Sequence, residues 1–182
     1  MNEKKKNSRK QSNIDFKFMS FLFKIRDKIH SPSIKIEKAK IKTGDIVLDY
    51  GCGPGSYSIA AVDIVGPAGK VIAVDINPLA IDKVKEKVAK SGFKNIETVM
   101  TDCKTDLNAE SVDAIICFDV LHALNDKDCI LNEFYRLLKL NSRLSVDDHH
   151  MKEEEIISLL TNNGLFELEE KIGKLYNFKK KS

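Results

Sequence analysis

This chain has no apolar run long enough to cross a lipid bilayer. The apolar stretch that follows the basic start is interrupted by Lys17, Lys24 and Arg26, which is not the pattern of a signal peptide. With neither a membrane span nor an export signal, the sequence predicts a cytoplasmic protein.

A strong excess of one charge is also missing, because the formal net charge is +3. Residues 1–12 account for about all of that excess and hold almost no apolar side chains, so we expect a disordered basic tail there. Nucleic-acid-binding domains carry a basic stripe or patch on a folded surface. The balanced charge of the remaining chain therefore predicts no nucleic-acid partner.

Cysteines are few, and they lack the close pairing of a zinc site and the density of a disulfide scaffold. We expect free thiols at all four positions, which are Cys52, Cys103, Cys117 and Cys129.

Residues 13–33 are expected to form an amphipathic helix followed by a linker. Apolar residues follow helical spacing at Ile14, Phe18, Phe21, Leu22, Ile25 and Ile29. The run Ser31-Pro32-Ser33 is interpreted as the end of that helix. We favour packing of the apolar stripe on the domain, and the basic flank keeps a peripheral membrane contact open.

A strand pattern that ends in a glycine-dense turn is the main motif of the chain. Residues 46–49 are apolar up to the terminal acid, and Gly51 and Gly53 follow. Such glycines let a ligand approach the main chain closely, because they have no β-carbon. Dinucleotide-binding proteins carry a third glycine where this chain has Ser56. The spacing therefore weakens a dehydrogenase interpretation.

A second apolar strand, Lys70 to Asp75, also ends in an acid. An acid in this place accepts hydrogen bonds from both ribose hydroxyls of an adenosine and repels a 2′-phosphate. Together the two strands favour a ligand that contains adenosine without a pyrophosphate.

Four blocks of sequence, 47–55, 74–75, 101–103 and 114–122, occur in order, and Arg136-Leu137-Leu138-Lys139 follows them. In these blocks the chain resembles the class I S-adenosylmethionine-dependent methyltransferases, from about Ile41 to Leu140. The resemblance is to the small single-domain group that includes the ubiquinone and menaquinone biosynthesis methyltransferases. It implies S-adenosylmethionine as cofactor and S-adenosylhomocysteine as product.

The resemblance also implies roles for individual residues. Asp49 and the two glycines after it would hold the methionine end of the cofactor, Asp75 the ribose, and Asp102 the adenine amino group. The implied cofactor-binding set is Asp49, Tyr50, Gly51, Cys52, Gly53, Asp75, Ile76, Asp102, Cys103 and Phe118.

The fold class follows from the alternation of strand and helix patterns along the chain. Helices are predicted over 78–90, 127–138 and 152–162, and further strands over 96–100, 112–118, 143–147, 166–171 and 174–179. We expect an α/β, Rossmann-like, doubly wound sheet of seven mostly parallel strands, with one antiparallel strand and helices on both faces. Residues 34–182 would form this single domain.

Polar residues are concentrated after the fourth and fifth predicted strands, where an acceptor would approach a doubly wound sheet. Methyl transfer needs alignment and a dry pocket, and a base only where the acceptor is protonated. The candidate catalytic residues are His149, His150, Asp119 and His122.

Three interpretations of this cluster stay open. A histidine of the 149–150 pair is a general base oriented by Asp119 or Asp148. Alternatively, Asp119, Asp147 and one histidine bind a divalent metal that holds a catechol-like acceptor. In the third interpretation the cluster caps a helix that begins near Met151, and His122 makes only a loop hydrogen bond. No residue is assigned to a metal.

The predicted function is methyl transfer to a small-molecule acceptor, such as a quinol, a phenol, an isoprenoid-like compound or a thiol. Residues 117–120 lack the runs typical of nucleic-acid methyltransferases. A metalloid acceptor would require several cysteines that converge on the methyl donor. The alternatives are a nucleic-acid or protein methyltransferase and a non-catalytic partner subunit, and the oligomeric state is left open.

Overall fold

A computed structural model describes residues 31–181 of the chain. The predicted basic tail, 1–12, and the predicted amphipathic helix up to residue 30 lie outside the described residues. Within residues 31–181, every helix is too short or too polar to cross a membrane.

Helices and strands alternate along the described chain, as predicted. The elements are α1 (Pro32–Lys38), β1 (Ile46–Tyr50), α2 (Ser56–Val65), β2 (Lys70–Asp75), α3 (Pro78–Ser91), β3 (Ile96–Met100), β4 (Val112–Phe118), a 3-10 turn (Leu121–Ala123), α4 (Lys127–Leu137), β5 (Leu138–Asp147), α5 (Glu153–Thr161), β6 (Phe166–Ile172) and β7 (Leu175–Lys180).

The strands form one seven-stranded sheet in the order β3-β2-β1-β4-β5-β7-β6. Strand β7 is antiparallel to both of its neighbours, β5 and β6, and the pairs among β1 to β5 are parallel. This confirms the predicted sheet with one antiparallel strand. The order reverses between β1 and β4, so their carboxyl ends flank the crevice where doubly wound sheets bind ligands.

Side chains of the central strands alternate between two apolar clusters, because successive residues of a strand point to opposite faces. Leu48 and Ile115 face a cluster that contains Phe134 of α4. Their neighbours Val47 and Ile116 belong to the other cluster, which α1, α2 and α3 cover. Helices therefore lie on both faces of the sheet, as predicted.

The sequence interpretation was wrong at Ser31-Pro32-Ser33, which is the start of a helix rather than a linker. Ser31 is the N-cap residue of α1, and Pro32 occupies the first helical position. Proline is compatible with that position because the first backbone N–H groups of a helix have no intrahelical partner.

Strand β5 begins at Leu138, directly after α4, whereas the expected strand began at residue 143. The added residues form a bulge, because the register with β4 shifts between Val112 and Ala114. Asn141 takes a positive φ of 63° in this irregular segment. Regular pairing resumes after the bulge, and Phe118 lies opposite Asp147 at the carboxyl ends of β4 and β5.

The expectation of four free thiols was also wrong. Cys103, after β3, forms a disulfide with Cys129 in the first turn of α4, and their Cα atoms are 6.2 Å apart. Cys52 and Cys117 are free and buried. A separation of 26 residues gives no sign of this pairing in the sequence, because it depends on the packing of α4 beside the loop after β3.

Candidate functional site

Asp49, near the end of β1, is a buried carboxyl group that is 2% exposed. The hydroxyl of Ser58 donates a hydrogen bond to Asp49 Oδ2 at 2.6 Å. Burial raises the pKa of Asp49 to about 7, although the hydrogen bond from Ser58 opposes this effect. The group is therefore poised to ionise when a positively charged ligand group approaches.

The glycine turn brings the chain close to the loop after β4. Gly51 has a φ of +72°, and a β-carbon there would lie 2.8 Å from Cγ1 of Val120 and closer still to Cγ2. The amides of Gly51 and Cys52 both donate to the carbonyl oxygen of Val74, at 2.8 and 2.9 Å. Cys52 is 4% exposed, and burial raises the pKa of its thiol.

Asp75, at the end of β2, is fixed by two backbone amides. Gly53 donates to its Oδ2 at 2.9 Å and Asn77 to its Oδ1 at 2.8 Å. Burial raises the pKa of this carboxyl group, and the same hydrogen bonds oppose the increase. A carboxylate oxygen accepts two hydrogen bonds, so each oxygen retains capacity for a ribose hydroxyl.

The loop after β3 lies beside these groups. The Tyr50 hydroxyl donates to the carbonyl oxygen of Asp102 at 2.9 Å, so Tyr50 positions this loop from beneath. Cys103 is held by its disulfide to α4. Ile76, the residue after β2, is 56% exposed, which is unusual for an isoleucine. Its exposed apolar side chain is suited to packing against a flat ligand ring.

The catalytic candidates form two aspartate–histidine pairs at the ends of β4 and β5. Nδ1 of His149 lies 2.6 Å from Asp119 Oδ1, and Nδ1 of His122 lies 2.9 Å from Asp148 Oδ2. Because a carboxylate only accepts hydrogen bonds, each Nδ1 carries the proton and each Nε2 is left as the basic atom.

The two pairs differ in exposure. The side chain of His149 is 58% exposed and its partner Asp119 18%, whereas the Asp148 side chain is fully buried. Burial alone would raise the pKa of Asp119, but hydrogen bonds from His149 and the charge of Lys35 hold the pKa below its usual range. His149 is therefore the more accessible base.

Asp148 also accepts from the amides of His122 and His150, both at 3.0 Å. The ring of His150 lies between the other two rings, with centroids 4.3 Å from His122 and 3.8 Å from His149. Asp148 thus ties the loop after β4 to the loop after β5. This confirms the loop hydrogen bond of His122 but not the capping of a helix by Asp148.

Helix α5 begins at Glu153, and Glu155 caps it by accepting from the Lys152 amide at 3.0 Å. The metal interpretation gains no support either, since no group of three or more histidine, cysteine or acidic side chains within residues 31–181 is arranged to hold a metal ion. Asp147, one of its proposed ligands, instead pairs with Lys35 Nζ at 2.8 Å.

The methyltransferase-domain family matches residues 41–178 of the chain. The chain belongs to this family. The match extends well beyond residue 140, where the resemblance visible in the sequence ended, and it includes β6 and most of β7. The class I methyltransferase fold predicted from the four sequence blocks is confirmed.

Curated relatives match this methyltransferase domain over part of their own length. An arsenite methyltransferase of Halobacterium salinarum is 33% identical over 111 residues, which is 60% of this chain and 28% of that protein. A demethylmenaquinone methyltransferase of Lactobacillus johnsonii is 31% identical over 125 residues, which is 68% of this chain and 51% of that protein. The chain spans about half the length of these relatives or less.

A solved structure, the SAM-dependent methyltransferase from Aquifex aeolicus, matches with a TM-score of 0.73 and 27% identity. The match covers 84% of this chain and 89% of that one. Together with the family, it supports S-adenosylmethionine as the cofactor of this methyltransferase domain.

The structure brings most of the predicted residues of the methyltransferase domain to one edge of the sheet. Phe118 lies at the end of β4, and both a cation and a second ring cover its aromatic ring. The ammonium of Lys35 lies 4.5 Å from its centroid, and the Tyr57 ring packs edge-on at 5.0 Å.

Sequence reasoning missed Lys35 and Tyr57. Ser31-Pro32, just before Lys35, indicates the start of a helix. Because this pair was interpreted as a helix end, Lys35 was not placed on a helix. Tyr57 follows the glycine turn directly, and only the tertiary structure shows that its ring faces the end of β4.

Proposed function

We propose that this chain transfers a methyl group from S-adenosylmethionine to a small-molecule acceptor whose reacting atom carries a proton, such as a phenol, a quinol or an enol. The observation that carries this proposal is the Asp119–His149 pair, with Nδ1 and Oδ1 2.6 Å apart, at the carboxyl edge of the sheet. This edge also holds the glycine turn.

The residues at the carboxyl edge fit the cofactor. When bound, S-adenosylmethionine supplies a methyl group on a positively charged sulfur, open to in-line displacement. Asp49 and the Gly51–Gly53 turn would hold the methionine end, where Val120 leaves room only for a glycine. Asp75 would accept from the two ribose hydroxyls and Asp102 from the adenine amino group.

His149 would accept the proton of the acceptor at Nε2, because its Nδ1 proton is engaged by Asp119. The carboxylate keeps the imidazole in one tautomer and stabilises the imidazolium that forms. Positioned general bases contribute about 10²–10⁴-fold to rate. A thiolate or carboxylate acceptor would need no such base.

The quinol-like class is supported by the relative named as a demethylmenaquinone methyltransferase. Arsenite, named for the other relative, is less suited to this chain. Cys103 and Cys129 are joined to each other, and Cys52 and Cys117 are buried, so the four cysteines present no pair of thiols to an acceptor. The cytoplasmic location and the membrane contact of residues 13–30 stay predictions.

Isothermal titration with S-adenosylmethionine and S-adenosylhomocysteine tests the proposal, on wild type and on Asp75→Asn. We expect wild type to bind both ligands and Asp75→Asn to bind them at least about tenfold more weakly, since an amide is a poorer acceptor for ribose hydroxyls than a carboxylate. Asp82→Asn, which removes an exposed acid from α3, is the control and should bind like wild type.

Absence of binding to wild type would overturn the proposal. If both ligands bind, the next step is to screen acceptors for methylation by mass spectrometry. The acceptors are quinols, phenols, enols, thiols, a nucleic acid and a protein substrate. Turnover of a nucleic acid or protein alone would refute the small-molecule assignment. Binding with no turnover of any of them would favour the non-catalytic partner subunit.

A further inference from the structure

The loop after β3 carries candidate contacts for the cofactor and is bonded covalently to α4. Asp102 and Cys103 are neighbours in this loop, and the disulfide joins Cys103 to Cys129 in the first turn of α4. Under the proposed function, Asp102 accepts from the adenine amino group. The disulfide therefore fixes the residue next to a group that would contact the adenosine half of the cofactor.

Hydrogen bonds hold the following part of the loop to α4 without any redox chemistry. Glu133 of α4 is 5% exposed and accepts from the amide and the hydroxyl of Thr105, at 3.0 and 2.8 Å. Arg136 donates to the same carboxylate at 2.7 Å. Phe134 of α4 is fully buried in the apolar core. Thr105 and α4 would therefore stay in place if the disulfide were broken.

Residues 101–104, between the end of β3 and Thr105, depend more on the disulfide. The Tyr50 hydroxyl donates to the Asp102 carbonyl at 2.9 Å. The Thr101 hydroxyl donates to the Lys104 carbonyl at 2.6 Å, which is a contact within the segment itself. Loss of the covalent bond would leave these hydrogen bonds, so the segment would gain conformational freedom while the rest of the domain stays folded.

The disulfide can be reached from solvent. Cys103 and Cys129 are both partly exposed, and a cavity of about 520 Å³ lies beside Cys129. The cations Lys104 and Arg136 and the acid Asp106 are among the other residues that line this cavity. Its volume is in the range of small-molecule sites, so a small thiol fits beside the bond. Exposed disulfides exchange with thiols more readily than buried ones.

We propose that the Cys103–Cys129 bond is a site of thiol–disulfide exchange that controls the affinity of the chain for its cofactor. In the oxidised form, residues 101–104 are ordered before the cofactor arrives. In the reduced form, binding has to order them, which lowers the affinity. This inference rests on the proposed function in taking the loop after β3 as the contact for adenine.

The exchange requires a dithiol as the reductant. One thiolate of the dithiol attacks Sγ of Cys129, the bond between the two protein sulfurs breaks, and Cys103 leaves as a thiolate that takes a proton from water. The second thiolate of the dithiol attacks the mixed disulfide and releases Cys129, which is protonated in the same way. Two electrons pass to the protein, and the dithiol becomes an intramolecular disulfide. The reverse sequence, with the oxidised dithiol, forms the protein bond again.

The test compares oxidised and reduced wild type in two measurements. Isothermal titration with S-adenosylhomocysteine gives the affinity, and amide hydrogen exchange reports the order of residues 101–104. Reduction with dithiothreitol, a small dithiol, should weaken binding by about three- to tenfold and speed up exchange in residues 101–104. The amides of β1 are the internal reference and should not change. Reoxidation should restore both the affinity and the slow exchange.

Cys129→Ser is the matched variant, because it removes the bond and leaves Cys103 in the loop. It should bind like reduced wild type, and dithiothreitol should change neither its affinity nor its exchange. If dithiothreitol weakened binding equally in this variant, the effect would come from another group and the proposal would be overturned. Equal affinities of oxidised and reduced wild type would also overturn it, as would a bond that dithiothreitol leaves intact in the folded chain.

Failure of the proposed function would give a different result. Wild type that binds S-adenosylhomocysteine in neither form contradicts the proposed function, whereas the exchange measurement still decides whether the bond orders residues 101–104. Binding of equal strength in both forms leaves the proposed function standing and refutes control by the disulfide.

Discussion

Asp49 is the residue at which function and stability oppose each other. Its carboxyl group is buried, and its pKa is raised from 3.8 to about 7 by that burial. A folded-state pKa above the unfolded value means that the folded chain binds more protons, so stability falls as the pH rises through this window. Under the proposed function, this carboxylate would face the positively charged end of the cofactor.

We therefore expect Asp49→Asn to be more stable than wild type, by an amount that grows from about pH 4 to about pH 7 and then levels off. The full difference is about 4 kcal/mol at most. Urea unfolding at about pH 5 and about pH 8 measures it, with the exposed Asp63→Asn as control. If the difference in unfolding free energy between variant and wild type were the same at both pH values, the raised pKa of Asp49 would be contradicted. We also expect the variant to lose cofactor binding.

Gly51 is a second single residue with a clear structural requirement, because its position in the turn after β1 needs a glycine. Its φ is +72° and Val120 blocks the β-carbon position, whereas Gly92 has a φ of +74° and nothing within 4 Å of that position. Both positions disfavour alanine for conformational reasons, by about 1 kcal/mol. Only Gly51 adds a steric overlap with a neighbouring side chain.

Gly51→Ala should therefore destabilise the chain by about 1–3 kcal/mol more than Gly92→Ala. Thermal unfolding of the two variants compares them directly. The Val120→Ala substitution in the Gly51→Ala background should recover part of the difference, because it removes the two γ-carbons that overlap. Equal losses of stability in Gly51→Ala and Gly92→Ala would show that the Val120 side chain moves aside without destabilising the fold.

At the scale of elements, the disulfide couples the loop after β3 to α4. A bond between residues 26 apart in sequence restricts the unfolded chain and contributes about 3.5 kcal/mol in the loop-entropy model. We expect the unfolded, unreduced chain to titrate with two thiols and the reduced chain with four. Reduction, or Cys103→Ser with Cys129→Ser, should lower Tm by several degrees. Four thiols before reduction would contradict the bond.

The elements predicted best from sequence are those in which the hydrophobic periodicity and the flanking residues indicate the same start and end. Strands β3 and β4 occur at the predicted residues, since turn residues or polar residues flank each apolar run. Helix α1 and the start of β5 were mispredicted, because a Ser-Pro pair is compatible with either end of a helix and a bulge leaves no periodic signal. The candidate cofactor loops could be located from the sequence, since Asp49 and Asp75 lie at the ends of apolar strands and Asp102 comes two residues after one.

The whole molecule depends on the order of its strands. Alternation of elements along the chain predicted a parallel sheet, because parallel strands require crossover connections. The insertion of β7 between β5 and β6 places Asn177 beside Ser145 and beneath α1. In this way the last strand of the chain supports the helix that carries Lys35 at the site.

By itself the sequence determined the fold class and the positions of the candidate acids at the strand ends, because strand periodicity, glycine turns and terminal carboxylates are local patterns. The family followed from the resemblance of four sequence blocks to a known family. Only the tertiary structure decided which aspartate pairs with which histidine, that Cys103 bonds to Cys129, and that Lys35 reaches the strand ends. These partners are 26 to 112 residues apart in the chain, and their contacts exist only once helices have packed on the sheet.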